Sequence, residues 1–225
     1  SDVYKRQLLI LSLSWYTMIK KGLIDRGFTP SEADPCMFMK EDMVIVLYVD
    51  DMIVVGKRQK DIEDLYNSLR DGNENFKLTK EGKIDKYLGV ELLDNGKGSF
   101  EARQPHLIER IIKASTLNSD LTNAKPTPAT LPLLHRDPKG SDRKYKWNYR
   151  AIVEMLNYLT GSTRPDLAMA VHQVARFSND PKLSHEKSVI RICRYLLDTP
   201  NHVMIFKPNK DLGLEVFVDA DFAGN

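Results

Sequence analysis

The feature that most constrains this chain is a pair of adjacent carboxylates set between two short apolar runs. Met43–Val49 and Met52–Val55 are rich in Val, Ile, Leu and Met, and Asp50-Asp51 separates them. Two β-rich runs of this length broken by two turn-forming residues predict a β-hairpin, with Asp50 and Asp51 at its tip. Val44, Val46 and Val54 would anchor the strands in a sheet. Two neighbouring carboxylates repel, so crowding them together is costly unless a cation neutralises the pair. Such a pair suits phosphoryl transfer, in which divalent ions about 3.5–4 Å apart steady the attacking and leaving oxygens. Mg²⁺ favours carboxylate oxygens and retained waters, and an all-oxygen site fits it or Mn²⁺. Asp-Asp is also ordinary turn chemistry, and most Asp pairs between strands are solvated turns, so the pair taken alone reads first as one.

The remaining periodicities organise the chain around that hairpin. Trp15, Met18, Ile19 and Leu23 recur at helical spacing, and Gly27 is placed to end the helix. Ile62, Leu65, Tyr66 and Leu69 describe an amphipathic helix closing near Gly72. Tyr87–Leu93 and Ser99–Arg103 flank Asn95-Gly96, which predicts a second hairpin. Sheet with packed helices makes this part α+β. Beyond Gln104 the pattern turns helical: His106–Lys113, a helix through Ile152, Val153, Leu156 and Leu159, another after Pro165, and a strong apolar stripe of Val189, Ile192, Cys193, Leu196 and Leu197. Lys125–Asp142 reads as a connecting segment and Glu215–Val218 as a strand.

Charge adds a direction. Residues 1–100 sum to −2 (15 basic, 17 acidic), 101–150 to +5, 151–212 to +2 and 213–225 to −3. An acidic-centred part followed by a basic one fits carboxylates that hold metal and cations that track phosphate. Two cysteines, Cys36 and Cys193, are too few for a disulfide framework or a four-ligand zinc site. The five histidines show no paired metal spacing. No apolar run nears the roughly 20 residues that span a bilayer. Trp147, Tyr145 and Tyr149 among Arg143, Lys144, Lys146 and Arg150 read either as an aromatic-basic nucleic-acid surface or as residues that staple the next helix.

Eight short stretches occur in one order: Asp34-Pro35-Cys36-Met37-Phe38, Leu47-Tyr48-Val49-Asp50-Asp51-Met52, Lys86-Tyr87-Leu88-Gly89-Val90-Glu91, Gln104-Pro105-His106-Leu107-Ile108, Thr163-Arg164-Pro165-Asp166, Arg176-Phe177, Arg194-Tyr195-Leu196 and Asp219-Ala220-Asp221-Phe222-Ala223-Gly224. In that order, from about Trp15 onward, they resemble the reverse transcriptase region of copia-type retrotransposon Pol polyproteins.

The resemblance implies an RNA-directed DNA polymerase using Mg²⁺ or Mn²⁺, an RNA template, a DNA primer, the RNA–DNA hybrid and dNTPs. Asp50 and Asp51 would be catalytic and metal-binding, with Asp219 matching the first metal carboxylate of an RNase H domain. Tyr48, Val49, Arg103, Lys113, Lys144 and Arg150 would meet primer or nucleic acid. The implied fold is α+β: a partial palm over residues 8–104, thumb and linker over 105–150, a helical connection over 151–212 and the start of RNase H over 213–225. The parent would reside in cytoplasmic virus-like particles, with scope for a nuclear stage. Residues 1–7 resemble a translated transposon end from library preparation and are expected to be a non-native scar. A third carboxylate and a Gly- and Gln-bearing pocket helix, expected upstream, are not visible before Trp15. The implied expectation is that the chain does not polymerise alone, the alternative being a non-enzymatic nucleic-acid-binding remnant.

Overall fold

A computed structural model describes residues 2–72, 76–82, 84–96, 98–115, 125–129 and 132–207, with backbone alone for 2–13. The strand expected at Glu215–Val218, the segment 213–225 and Asp219 lie outside the described residues. The chain divides into two compact units, residues 1–82 and 83–225.

The first unit is a four-stranded antiparallel meander backed by two helices. Helix α1 (Asp2–Asp25) leads to β1 (Thr29–Pro30), β2 (Met37–Lys40), β3 (Met43–Tyr48), β4 (Asp51–Gly56) and α2 (Gln59–Arg70), with sheet order β1-β2-β3-β4. Gly27 ends α1 as expected, at φ +83°. The Gly27 N–H donates to Ile24 O at 2.9 Å and the Phe28 N–H to Leu23 O at 3.1 Å. That pair of bonds is a Schellman closure, which needs the left-handed residue a glycine supplies. Alternation along β3 sends Ile45 and Leu47 inward to meet Ile19, Leu23, Phe38, Leu65 and Leu69. Each such fully buried side chain stabilises the unit by about 1.5–3 kcal/mol. Arg26 clamps the end of α1 to α2, its Nη2 donating to Ser68 O at 2.6 Å.

In the second unit a sheet of order β5-β6-β7-β8 accompanies four helices. The strands are β5 (Lys86–Tyr87), β6 (Val90–Asp94), β7 (Phe100–Arg103) and β8 (Met204–Phe206). The helices are α3 (Pro105–Ala114), α4 (Tyr149–Ser162), α5 (Ala168–Ala175) and α6 (Leu183–Asp198), with a 3-10 turn at Pro165–Leu167 leading into α5. Their apolar stripes converge on one core that includes Ile111, Ile152, Leu156, Leu159, Val171, Val189, Ile192, Cys193 and Leu196. Asn148 caps α4, its Oδ1 accepting the Ala151 N–H at 3.0 Å.

Two details differ from the sequence expectation. Tyr87–Leu93 is two strands: Tyr87 pairs with Val90 across Leu88-Gly89, at φ +49° and +76°. Positive φ at both central residues is the type I′ signature, and Leu88 conceals it because leucine rarely occupies that conformation. The second hairpin stands as expected, its connection around Asn95-Gly96 closed by the Asn95 N–H donating to Ser99 O at 3.2 Å. Strand β8 has too few residues to show a period. The hairpin β6–β7 falls in the second of the two compact units.

Candidate polymerase turn and its surroundings

Strand register builds the site. Tyr48 pairs with Asp51 and Leu47 with Met52, so the two-residue loop is Val49-Asp50. The hairpin stands as expected, but its tip is one residue earlier: Asp51 is the first residue of β4. Val49 lies at φ +52°. Two-residue hairpin loops require positive φ because the strands twist right-handed. A β-branched residue in that region is a backbone outlier, and such strain is held only where the surroundings over-determine it. The surroundings here are the ladder itself and the inward anchors Ile45 and Leu47.

The adjoining loop is also fixed. The Leu47 N–H donates to Cys36 O at 2.9 Å and the Cys36 N–H to Asp34 Oδ1 at 2.8 Å. From α1, the Tyr16 hydroxyl donates to Pro35 O at 2.8 Å. Sequence reasoning did not single out Tyr16, because nothing local marks a tyrosine that acts on a loop nineteen residues away. The result is a rigid stem carrying an exposed tip: Tyr48 is 52% and Val49 59% exposed, and both carboxylates face solvent.

The donor set of the tip is two hard carboxylate oxygens groups, which suits Mg²⁺; that ion is commonly held by one or two carboxylates with substrate phosphates and water. Among the described residues, no group of three or more His, Cys, Asp or Glu stands where it could hold a metal. Asp50 and Asp51 would therefore supply part of such a site.

The expected nucleic-acid residues other than Tyr48 and Val49 lie in the second unit. Arg103 ends β7 and donates from Nε to Glu91 at 3.0 Å. Arg150 lies in the first turn of α4 and pairs with Glu154 at 3.2 Å. Lys144 sits 5.5 Å from the centre of the Tyr145 ring. Lys113 is exposed in the last turn of α3.

A family model described as reverse transcriptase (RNA-dependent DNA polymerase) matches residues 7–132, more than half of the chain. The chain belongs to the reverse transcriptase family. It is similar to the retrovirus-related Pol polyprotein from transposon RE1 of Arabidopsis thaliana, at 28% identity over 94% of this chain and 14% of that protein. The Pol polyprotein from transposon TNT 1-94 of Nicotiana tabacum is 27% identical over 94% of this chain and 16% of its own length. Both belong to copia-type transposons. An uncharacterized mitochondrial protein of Arabidopsis thaliana is 30% identical over 81% of this chain and 72% of its own. The chain thus spans about one-seventh of the length of the Pol polyproteins it matches. No solved structure matches it.

Several motifs of this reverse transcriptase chain have structural jobs. Arg164, buried to 1% exposure, donates to both carboxylate oxygens of Asp166, at 2.9 and 2.8 Å, and to Thr199. The Tyr195 hydroxyl donates to Asp166 Oδ2 at 3.0 Å. Burial would raise the Asp166 pKa, but the Arg164 hydrogen bonds and charge outweigh it and hold the carboxyl below its usual range. This links the Thr163–Asp166 and Arg194–Leu196 motifs. Glu186, fully buried, accepts from Arg143 Nε at 3.3 Å and from the Lys144 and Tyr145 N–H groups at 3.0 and 3.1 Å. Trp147 and Tyr149 are core residues, with Arg143 lying 4.5 Å over the Trp147 ring. Trp147 and Tyr149 pack in the core with Ile152 and Val153 of α4, as the helix-stapling reading has it. Glu186 escaped notice because a lone glutamate on a helix normally faces water.

Proposed function

We propose that this chain supplies the turn-borne carboxylates of an RNA-directed DNA polymerase that acts as part of a longer copia-type Pol polyprotein. The observation that carries the reading is the strained, exposed Val49-Asp50 turn on a rigid antiparallel stem. In it, residues 8–104 belong to the palm, 105–150 to thumb and linker, and 151–212 to the connection. Asp50 is the main metal-holding carboxylate and Asp51 its weaker neighbour, with Tyr48 and Val49 beside the primer terminus. Mg²⁺ or Mn²⁺, when held there, supplies electrostatic stabilisation of the charge that develops on the phosphoryl oxygens. The substrates are a primed RNA template and dNTPs. A further carboxylate completes the site from another segment of the polyprotein, so this chain alone extends no primer. Asp219 belongs to the metal site of an RNase H domain.

The test is primer extension on a primed RNA template by a full Pol polyprotein carrying this chain. Asp50→Asn should lower the rate by at least about 10²–10³, since even one electrostatic donor is commonly worth that much. Asp51→Asn should cost less. Asp50→Asn at near wild-type rate would remove the turn from the catalytic site. Wild-type polyprotein that binds the primed template but incorporates nothing would favour a nucleic-acid-binding remnant.

A further inference from the structure

Of the basic residues that the sequence marks for nucleic acid, Arg103, Arg143 and Arg150 have carboxylate partners. A different set does not. Helix α6 buries Val189, Ile192, Cys193 and Leu196 on one side, which leaves Lys187, Arg191 and Arg194 in line on the other. Positions i, i+4 and i+7 share one helix face. Among the described residues none of the three has a carboxylate partner. Arg191 donates only to neutral groups, Thr127 O at 3.1 Å and Thr127 Oγ1 at 2.9 Å. Those bonds hold Thr127 against the helix at this face. The acid on this face is Asp198, at the last turn.

We infer that this face of α6 is a phosphate-tracking surface, a second contact with the nucleic-acid backbone beyond the residues matched by the family model. The inference rests on the proposed polymerase reading for the identity of its partner. Like charges at i, i+4 repel, so an unpaired row of three is favoured when a polyanion lies along it. The row covers about 10 Å of helix axis at 1.5 Å per residue. That length matches about three nucleotide steps of one strand at 3.4 Å each. A membrane surface fits less well: the apolar side of α6 is in the core, and the stripe is bordered by Ser184, Ser188 and the core-packed Ile190. Nothing on this face could insert among lipids.

The test is fluorescence anisotropy of the full chain with a labelled RNA–DNA hybrid across a KCl series. Each neutralised phosphate contributes about −0.9 to the slope of log K against log salt on a B-form duplex. Lys187→Gln with Arg194→Gln should flatten the slope by about 1.5–2 and weaken low-salt binding at least about tenfold. Both side chains lack partners among the described residues, so far-UV circular dichroism and the urea midpoint should not move. The exposed pair Lys57→Gln with Lys60→Gln, on the first unit, is the charge-matched control and should change the slope less. An unchanged slope in the α6 variant, no hybrid binding by the wild type at low salt, or equal binding to phosphatidylserine vesicles would each overturn the proposal. The polymerase reading is judged separately, by primer extension with Asp50→Asn, so failure of the stripe and failure of that reading appear in different assays.

Discussion

Val49 occupies a backbone region that a β-branched residue enters only at a cost, and the cost sits where the proposed chemistry is. A left-handed L-residue loses about 1–2 kcal/mol relative to the right-handed form. Val49→Gly removes that strain but frees the unfolded chain, which opposes the gain. The expected net is a first unit stabilised by about 0.5–1 kcal/mol, read as a rise in urea midpoint at constant m. The same variant should slow primer extension by the full polyprotein, because the tip loses its fixed geometry. Asp166 gives a second residue-scale prediction. Its carboxyl titrates lower in the folded chain than in the unfolded one, chiefly through Arg164, which overcomes burial. A depressed carboxylate stabilises above its unfolded pKa of about 3.9, and that contribution is lost as pH falls through the folded value. Asp166→Asn should cost about 1–3 kcal/mol near pH 7, with the gap to wild type narrowing below about pH 4. A gap that stays constant from pH 7 to pH 3 would show that the carboxylate's charge is immaterial.

Elements carry the next predictions. In the β5–β6 turn, Leu88 at φ +49° precedes Gly89 at φ +76°, a position pair that prefers Asn-Gly. The Tyr158 hydroxyl donates to the Leu88 backbone oxygen, and a side-chain change leaves that group in place. Leu88→Asn should therefore raise stability by about 0.5–1 kcal/mol, measured by urea unfolding. At α6, Glu186→Gln keeps the size but leaves Arg143 without its counter-charge and turns an amide donor toward N–H groups. Breaking one partner of a buried pair costs about 3 kcal/mol or more, so the urea midpoint should fall clearly. These two elements also show what the sequence could and could not reveal. Helices α1, α2, α4 and α6 were legible because their apolar positions recur at helical spacing, and β3–β4 because two apolar runs flank a polar pair. The turn at Leu88 was hidden by a residue that defies its own preference. The placement of the tip at Val49-Asp50 depends on cross-strand register, which pairing decides and composition does not. Asp50 and Asp51 were readable as a candidate site from their chemistry, while the pairing of Arg103 with Glu91 and of Arg143 with Glu186 joins residues far apart in the chain.

At the scale of the whole chain, two apolar cores share no residue, and each unit holds one cysteine. Cys36 is half-buried beside the first core, and Cys193 is fully buried in the second, its thiol pushed up to about 12 by burial. The thiolate is the reactive form, so burial both suppresses ionisation of Cys193 and keeps reagent from it in the folded state. Labelling at Cys193 thus requires opening of the second core, whereas Cys36 needs only local motion of the Asp34–Cys36 loop. Comparing Cys36→Ser and Cys193→Ala in a thiol-reactive dye assay isolates one reporter per unit. The Cys36→Ser chain should be unreactive in native buffer and should label along the urea curve that melts its helices. The Cys193→Ala chain should label earlier and with a shallower urea dependence, since less surface is exposed when a loop opens than when a core does. Because the alanine leaves a small void in the second core, that variant's own urea midpoint is measured alongside. Prompt labelling of Cys193 in native buffer would contradict the packing of α6. Identical urea profiles for the two thiols would show that the cores unfold as one cooperative unit.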